Sequence, residues 1–288
     1  MIVSWEEFKV VANSHIQEAA KGSFIYRGQF NSSWNLSTSL HRTGQIEEHK
    51  NFVGYFENIL PFVQEPVEAW DGSRRDLTNP LQLAEFLAFL QHNGFPTPLL
   101  DWTFSPYIAA YFAFEGINHF TPQNDFVAIY AFNQGDWIKS YKQTHDYKPE
   151  AKHVTILNPT YRANPKQMLQ QGTFMFTNLH DIEFHIHHNE KTQGQFLNKY
   201  EISVKERPKI FKDLIAMNIT AMQLMPGMES VCKKVFAEIC ATHEVGMSPG
   251  EFKSYSENVL ARSLSNAAAM PAARETVPKR KPKGMVKE

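Results

Sequence analysis

The stretch from Gln91 to Phe114, QHNGFPTPLLDWTFSPYIAAYFAF, is the part of the chain from which the rest can be interpreted. An apolar helix, LQLAEFLAFL, is predicted before it, and a second helix is predicted from Pro106 to Phe114. Between the helices lies a short polar elbow whose side chains can form hydrogen bonds: Gln91, His92, Thr97, Asp101, Trp102, Thr103 and Ser105. Polar groups beside a core need partners in the protein or in a ligand. The elbow is therefore predicted to form the floor of a site.

Composition limits the class of protein. The 288 residues are 42% hydrophobic and include 22 Phe, enough for a real core, and the net charge of −1 favours no particular partner. No apolar run reaches the roughly 18 to 20 residues that span a bilayer, and the first residues carry carboxylates where a signal peptide would be basic and then apolar. Cys232 and Cys240 would lie about 12 Å apart on one helix, too far to bridge. A reduced, cytoplasmic protein without a membrane partner is expected.

Strands and helices alternate irregularly along the chain. A short buried strand is predicted at 24–28, and the other predicted strands are 125–132, 153–157, 173–177, 184–188 and 196–204, the last two as a candidate hairpin. Because there are no regular βαβ units and no glycine-rich nucleotide loop, the predicted class is α+β. We expect a mixed, mostly antiparallel sheet flanked by helices.

One large domain followed by a C-terminal extension is expected. Residues 1–248 are assigned to the catalytic domain, and residues 249–288 to a C-terminal extension. The stretch Arg274–Glu288 contains six Lys or Arg against two Glu, which predicts a basic, disordered tail. The tail is either a solvated terminus or a segment that contacts nucleic acid or an acidic partner.

Arg27 is the first candidate for chemistry. It ends an apolar strand and precedes Gly28. A guanidinium fork suits a phosphate or a carboxylate, and a glycine allows a ligand to approach the backbone closely. The alternative is that Arg27 pairs with a structural carboxylate such as Asp101, and both functions can coexist.

The elbow supplies further candidates, each with a structural alternative. His92 follows a helix and can act on a ligand or simply interact with the helix dipole. Asp101 can act directly or hold Arg27 or His92 in place. Thr103 and Ser105 can contact a ligand or cap the helix that begins at Pro106.

Two polar segments lie further along the chain. Gln171 precedes Gly172 at the entry to a predicted strand, where its side chain can reach a cleft. The second segment is a cluster: His180, Asp181, Glu183, His185, His187 and His188. His185 and His187 would share one face of a strand, which is metal-ligand spacing, but no second ligand pair is recognisable and no metal is expected. The G-x-S-x-G motif of a serine hydrolase is also lacking.

Four segments together resemble the FRG-domain family, which is named for a Phe-Arg-Gly motif. They are Tyr26-Arg27-Gly28, the W-x-L-x-x-S-L-x-R pattern of Trp34–Arg42, the elbow, and QQGTF at 170–174. A weaker match lies at Asn218–Met228, and the resemblance covers roughly residues 20–235.

The resemblance implies a distant likeness to the ADP-ribosyltransferase fold and the use of NAD as a substrate. By motif, Arg27 would contact NAD, and Thr103 and Ser105 would correspond to the hydroxyl motif, with Gly28, Thr97 and Trp102 completing the cofactor-binding set. The implied catalytic set is Arg27, His92, Asp101 and Gln171. The family's glutamate has no clear counterpart: Gln171 is nearest by motif, and Glu201 is a second candidate.

The leading hypothesis is an NAD-dependent ADP-ribosyltransferase that modifies a macromolecule. Nucleic acid is favoured over protein as the acceptor. A toxin or anti-phage role, with a neutralising antitoxin as partner, follows from analogy at the level of the family. Two alternatives are a non-catalytic module that binds a nucleotide or nucleic acid, and a phosphodiesterase using His92 and Asp101.

Overall fold

A computed structural model of the protein describes residues 1–17, 24–116, 124–158, 165–228 and 230–235. The strands in this part of the chain are β1 (Phe24–Gln29), β2 (Leu99–Thr103), β3 (Phe126–Asn133), β4 (Val154–Leu157), β5 (Gly172–Thr177) and β6 (Leu197–Ser203). They form a six-stranded sheet in the order β4-β5-β2-β1-β3-β6. Every ladder between neighbouring strands is antiparallel, which confirms the predicted α+β class.

Helices cover the sheet on both faces. They are α1 (Trp5–Gln17), α2 (His49–Gly54), α3 (Leu60–Asp71), α4 (Pro80–His92), α5 (Pro106–Glu115), α6 (Gln134–Ser140), α7 (Pro165–Leu169), α8 (Ile182–Gln193), α9 (Arg207–Ala216) and α10 (Ala221–Leu224). A single π-helical turn, Tyr55–Ile59, joins α2 to α3. No helix in the described ranges combines the length and the apolar character that a membrane crossing requires.

Three apolar clusters make up the core of the described part of the chain. One packs α1, α5 and α9 against β1, β3 and β6, and it is centred on Trp5, Tyr26 and Phe114. A second packs α4 and the α2–α3 region against β2, β4 and β5. The third lies on the other face of the sheet, under α6 and α8. The sheet is therefore buried on both faces, and the polar residues of its central strands are held close to the core.

Two sequence predictions are wrong, and both concern polar segments. The elbow is not a loop, because Leu99–Thr103 is strand β2 at the centre of the sheet, between β1 and β5. Residues 184–188 are not a strand but part of helix α8, whose N-cap is Asp181. In α8 the apolar residues Ile182 and Ile186, four apart, face the core, which is helical rather than strand spacing. The predicted domain boundary after residue 248, the basic tail and Cys240 lie outside the described residues.

Two buried histidines make stability depend on pH. Burial lowers the pKa of His41 to about 4, with the charge of His180 acting in the same direction, and burial lowers the pKa of His153 to about 4. The Nε2 atoms of both rings are buried without a hydrogen-bond partner among the described residues. Protonation in the folded state would therefore leave a charge without compensation.

We expect the free energy of unfolding to fall as the pH decreases from 6.5 to 4. The unfolded chain binds protons near pH 6.5 while the folded protein stays neutral, so each histidine contributes about 1.4 kcal/mol per pH unit within this window. Urea unfolding at pH 7.5, 6.0 and 5.0 measures the slope. The double variant His41→Gln/His153→Gln should show a shallower slope, and an unchanged slope would contradict the assignment.

Candidate functional site

Strands β1 and β2 pair at one position and then diverge. Their register contains a single Cα pair, Tyr26 with Thr103, whereas β1 and β3 stay paired from Phe24 to Gln29. A continued ladder would place Arg27 opposite Trp102. Instead a cleft of about 280 Å³ opens there, and its lining includes Arg27, Gly28, Asp101, Trp102, Thr103 and Gln170. The β1 arginine, the elbow and the segment before β5 therefore meet at one place.

The guanidinium of Arg27 lies in this gap. Its Nη1 donates a hydrogen bond of 2.7 Å to the carbonyl oxygen of Asp101 and lies 3.9 Å from the Oδ2 atom of Asp101. The side chain of Arg27 is only 18% exposed, and its Nε is buried without a hydrogen-bond partner in the described part of the chain. Burial lowers the pKa of Arg27, and the negative charge of Asp101 opposes this effect. The expected pairing with Asp101 is present through Nη1, and it leaves the Nε donor unused.

The carboxylate of Asp101 is oriented by a hydrogen-bond network. Gln91 Nε2 donates to Asp101 Oδ2 at 2.9 Å. The Oε1 atom of Gln91 accepts from Ser39 Oγ at 3.0 Å and from Thr97 Oγ1 at 2.5 Å. The network ties the 34–42 loop to α4 and β2. Because the side chain of Asp101 is 56% exposed, its carboxylate is fixed in direction yet remains accessible to a ligand.

Trp102 provides a second donor without a partner. Its side chain is 3% exposed, and its Nε1 is buried with no acceptor among the described residues. Buried indole and guanidinium N–H groups normally have an acceptor, and leaving one unsatisfied costs about 1–3 kcal/mol. Arg27 and Trp102, each with one buried and unsatisfied donor, therefore lie side by side in the lining of the same cleft.

The hydroxyl groups of the elbow are used within the protein. Thr103 Oγ1 donates to the Gln170 carbonyl oxygen at 2.7 Å and accepts from the Ser105 amide at 3.1 Å. Ser105 Oγ accepts from the Ile108 amide at 3.3 Å, which makes Ser105 the N-cap of α5, as its alternative interpretation predicted. Both contacts fix the junction between β2 and α5 at the edge of the cleft.

Gly28 has a role that differs from the predicted one. A Cβ atom built on Gly28 would lie 2.0 Å from the Ala109 carbonyl oxygen and 2.6 Å from the Ala113 amide nitrogen. Helix α5 therefore packs directly on the β1 backbone. The glycine admits this helix rather than a ligand on that face, and α5 in turn supplies Ala109 and Phe112 to the cleft.

Besides Ser105, three predicted site residues lie apart from the cleft lining. His92 is exposed at the end of α4, where burial and the charge of Lys166 lower its pKa while Asp101 opposes them. Thr97 is buried within the Gln91 network. Gln171 is exposed, with φ of 48°, and its carbonyl oxygen accepts from the Phe104 amide.

Several residues that line the cleft are not among those predicted from the sequence. Gln170, rather than Gln171, reaches the cleft, and Phe112 lines it from α5. The signal that could have located both is the strand character of Leu99–Thr103, since a β2 strand paired with β5 brings position 170 to the mouth of the gap.

The predicted histidine cluster lies at a second and larger cavity, of about 660 Å³, between residues 46–49 and α8. His185 and His187 are two apart on a helix, so they do not share a face as the strand prediction required. His187 Nδ1 pairs with Glu190 Oε2 at 2.6 Å. Within the described ranges, no group of three or more His, Cys, Asp or Glu is arranged to hold a metal ion.

Comparison with known proteins bears on the motif segments. Residues 22–121 match the model of the FRG domain. This match confirms the predicted resemblance to the FRG-domain family over residues 22–121. The matched range includes β1, β2 and α5, which line the cleft, and the 34–42 loop and α4, which support Asp101 through Ser39 and Gln91. No curated protein and no solved structure matches the chain.

Proposed function

We propose that the cleft between β1 and β2 binds NAD and that the protein transfers the ADP-ribosyl group to a macromolecule, with nucleic acid favoured as the acceptor. The observation that carries this proposal is the Arg27 guanidinium, which is buried in the cleft with Nε unpartnered among the described residues. A buried cation beside a second unused donor suits a ligand with anionic oxygens, such as a diphosphate.

The chemistry requires two kinds of group. The bond between the ribose C1′ and the nicotinamide nitrogen breaks, nicotinamide leaves as a neutral molecule, and an acceptor nucleophile bonds to C1′ and loses its proton to a base. Positive charge develops on the sugar, so a carboxylate nearby would stabilise the transition state. Arg27 would hold the diphosphate, and the oriented carboxylate of Asp101 would face the sugar, with the exposed His92 as a candidate base.

Glu201 is the second candidate carboxylate. The ladders place it opposite Ala128 on β3, and Ala128 lies opposite Gln29 on β1, two residues from Arg27. Arg27 and Glu201 therefore belong to neighbouring cross-strand rows on one face of the sheet. We propose that the likeness to the ADP-ribosyltransferase fold extends to this arrangement of an arginine on β1 and a glutamate on a neighbouring region of the sheet.

Incubation with NAD labelled in its adenylate phosphate tests the proposal. Single-stranded DNA, RNA and a cell extract are supplied as acceptors. We expect nicotinamide release and label on a macromolecule, and neither should occur with a variant that lacks the Arg27 guanidinium. Intact NAD with cleaved nucleic acid would support a phosphodiesterase instead, and binding of NAD without turnover would leave a binding module.

A biological role as a toxin or anti-phage effector, a neutralising antitoxin and a cytoplasmic location are proposals that rest on family analogy alone. They require that the transfer reaction be harmful to the cell that contains it. Growth of cells that express the wild type, compared with growth of cells that express an Arg27 variant, tests the toxin role.

A further inference from the structure

Two exposed aromatic side chains follow the strand that carries Arg27. Phe30 is 38% exposed and Trp34 is 46% exposed. Their rings meet edge to face, with centroids 4.5 Å apart. Leu36, in the same loop, is fully buried. The loop therefore has an anchor in the core while it leaves an aromatic pair in contact with solvent.

Hydrogen bonds hold the backbone of this loop. Tyr130 Oη donates to the Trp34 carbonyl oxygen at 3.1 Å, and Asn124 Nδ2 donates to the Phe30 carbonyl oxygen at 2.8 Å. The Ser32 amide donates to the Phe126 carbonyl oxygen at 3.1 Å. Because strand β3 and its start supply these partners, the aromatic pair is presented in a fixed position, so little conformational entropy is lost when a ligand stacks on it.

The pair lies next to the cleft. Phe30 follows Arg27 by three residues, or about 10 Å along an extended chain. A Cβ built on Gly116 would lie 3.0 Å from the Phe30 ring, which places the ring at the end of α5, and Phe112, one turn earlier in α5, lines the cleft. This separation corresponds to one or two nucleotides of a single strand.

Charged side chains of both signs lie near the pair, the cations Lys199 and Arg27 and the carboxylates Glu183 and Glu201. Lys199 Nζ lies 5.4 Å from the centroid of the Tyr130 ring, whose hydroxyl contacts Trp34. Tyr130 is also the cross-strand neighbour of Arg27. The carboxylate of Glu183 beneath the loop already accepts from the Leu36 amide and from Tyr130 Oη. The aromatic pair matches the stacking surface that binds single-stranded nucleic acids, and Lys199 and Arg27 supply cations beside it.

We propose that Phe30 and Trp34 stack a base of a single-stranded nucleic acid, whose backbone passes Lys199 and brings a neighbouring nucleotide to the cleft as the acceptor. This inference rests on the proposed function, because it identifies the acceptor class of the same site. A single strand suits the pair better than a duplex, since the bases of a duplex are stacked on one another and expose mainly their edges.

The test measures the binding of fluorescently labelled oligothymidine by anisotropy. Trp34→Ala and Phe30→Ala are compared with Trp70→Ala and Phe62→Ala, two aromatic residues on α3 that are 92% and 82% exposed. We expect about a 10-fold loss of affinity or more for Trp34→Ala and none for Trp70→Ala. Lys199→Gln should weaken binding of every sequence and reduce its salt dependence.

Several outcomes would overturn the inference: no binding of the oligonucleotide by the wild type, equal losses in the α3 variants, or equal binding of duplex. Self-association that is lost in Trp34→Ala would assign the pair to a contact with a second copy instead. Nicotinamide release from NAD is measured in parallel. Release without oligonucleotide binding overturns this inference alone, whereas oligonucleotide binding without release overturns the proposed function.

Discussion

Replacing Gly28 by alanine is expected to lower the free energy of unfolding by about 3 kcal/mol or more, at the upper end of the range for overpacked sites. The new methyl group would lie 2.0 Å from the Ala109 carbonyl oxygen and 2.6 Å from the Ala113 amide. Both atoms belong to the backbone of α5, so no side-chain rotation relieves the clash. The helix and β1 would have to separate, and this would disturb the core around Tyr26 and Phe114. Urea unfolding followed by circular dichroism measures the loss.

Gly54→Ala is the matched control. Gly54 has helical backbone angles, φ −58° and ψ −31°, and a Cβ there would meet only the Asn58 Nδ2 atom, at 3.6 Å. Alanine is favoured over glycine in a helix by about 0.5–1 kcal/mol, so this variant should be at least as stable as the wild type. If both variants unfold at the same urea concentration, the close packing of α5 on Gly28 is contradicted.

Replacing Arg27 by glutamine is expected to reduce kcat/KM for NAD by about 100-fold or more, because two charge-assisted hydrogen bonds to the diphosphate would be lost at about 1.5–3 kcal/mol each. We expect the free energy of unfolding of this variant to stay close to that of the wild type although its activity falls. Burial disfavours the charged guanidinium, as its lowered pKa indicates, and its carboxylate partner Asp101 is largely exposed. A residue that is costly to bury and yet needed for turnover is characteristic of a binding site.

Arg75→Gln serves as the control for this variant. Arg75 is 16% exposed, similar to Arg27, and its Nη2 pairs with Asp71 Oδ2 at 2.5 Å. We expect Arg75→Gln to lose stability and retain NAD turnover, the reverse of Arg27→Gln. Growth of cells that express each variant tests the toxin role: the wild type and Arg75→Gln should arrest growth, and Arg27→Gln should not. Loss of turnover in both variants would mean that Arg27 acts only through folding.

The sequence was sufficient for the fold class and for five of the residues that line the cleft, Arg27, Gly28, Asp101, Trp102 and Thr103, but not for the reason they meet there. Apolar β-branched and aromatic runs located β1, β3 and β5, since burial on both faces leaves such runs uninterrupted. Strand β2 was missed because Asp101 lies at its centre, and a carboxylate there is acceptable only where β1 diverges and Gln91 donates to it. That divergence is a tertiary feature that no local pattern contains.

Long-range packing also explains the other differences. The close packing at Gly28 involves helix α5, about eighty residues further along the chain. From local sequence alone, a glycine after an arginine therefore indicated room for a ligand rather than for a helix. Histidines at alternate positions suggested a strand at 184–188, but Ile182 and Ile186 are buried under the sheet and determine a helix. Ser105 was identified as a helix cap from local spacing alone, because capping is a local interaction.

The most direct test of the account is a crystal structure of the wild-type protein with ADP-ribose bound. We expect diphosphate oxygens about 2.7–2.9 Å from the Arg27 guanidinium nitrogens, between β1 and β2, with Asp101 facing the ribose. ADP-ribose located instead in the cavity beside α8, with the Arg27 cleft empty, would contradict it.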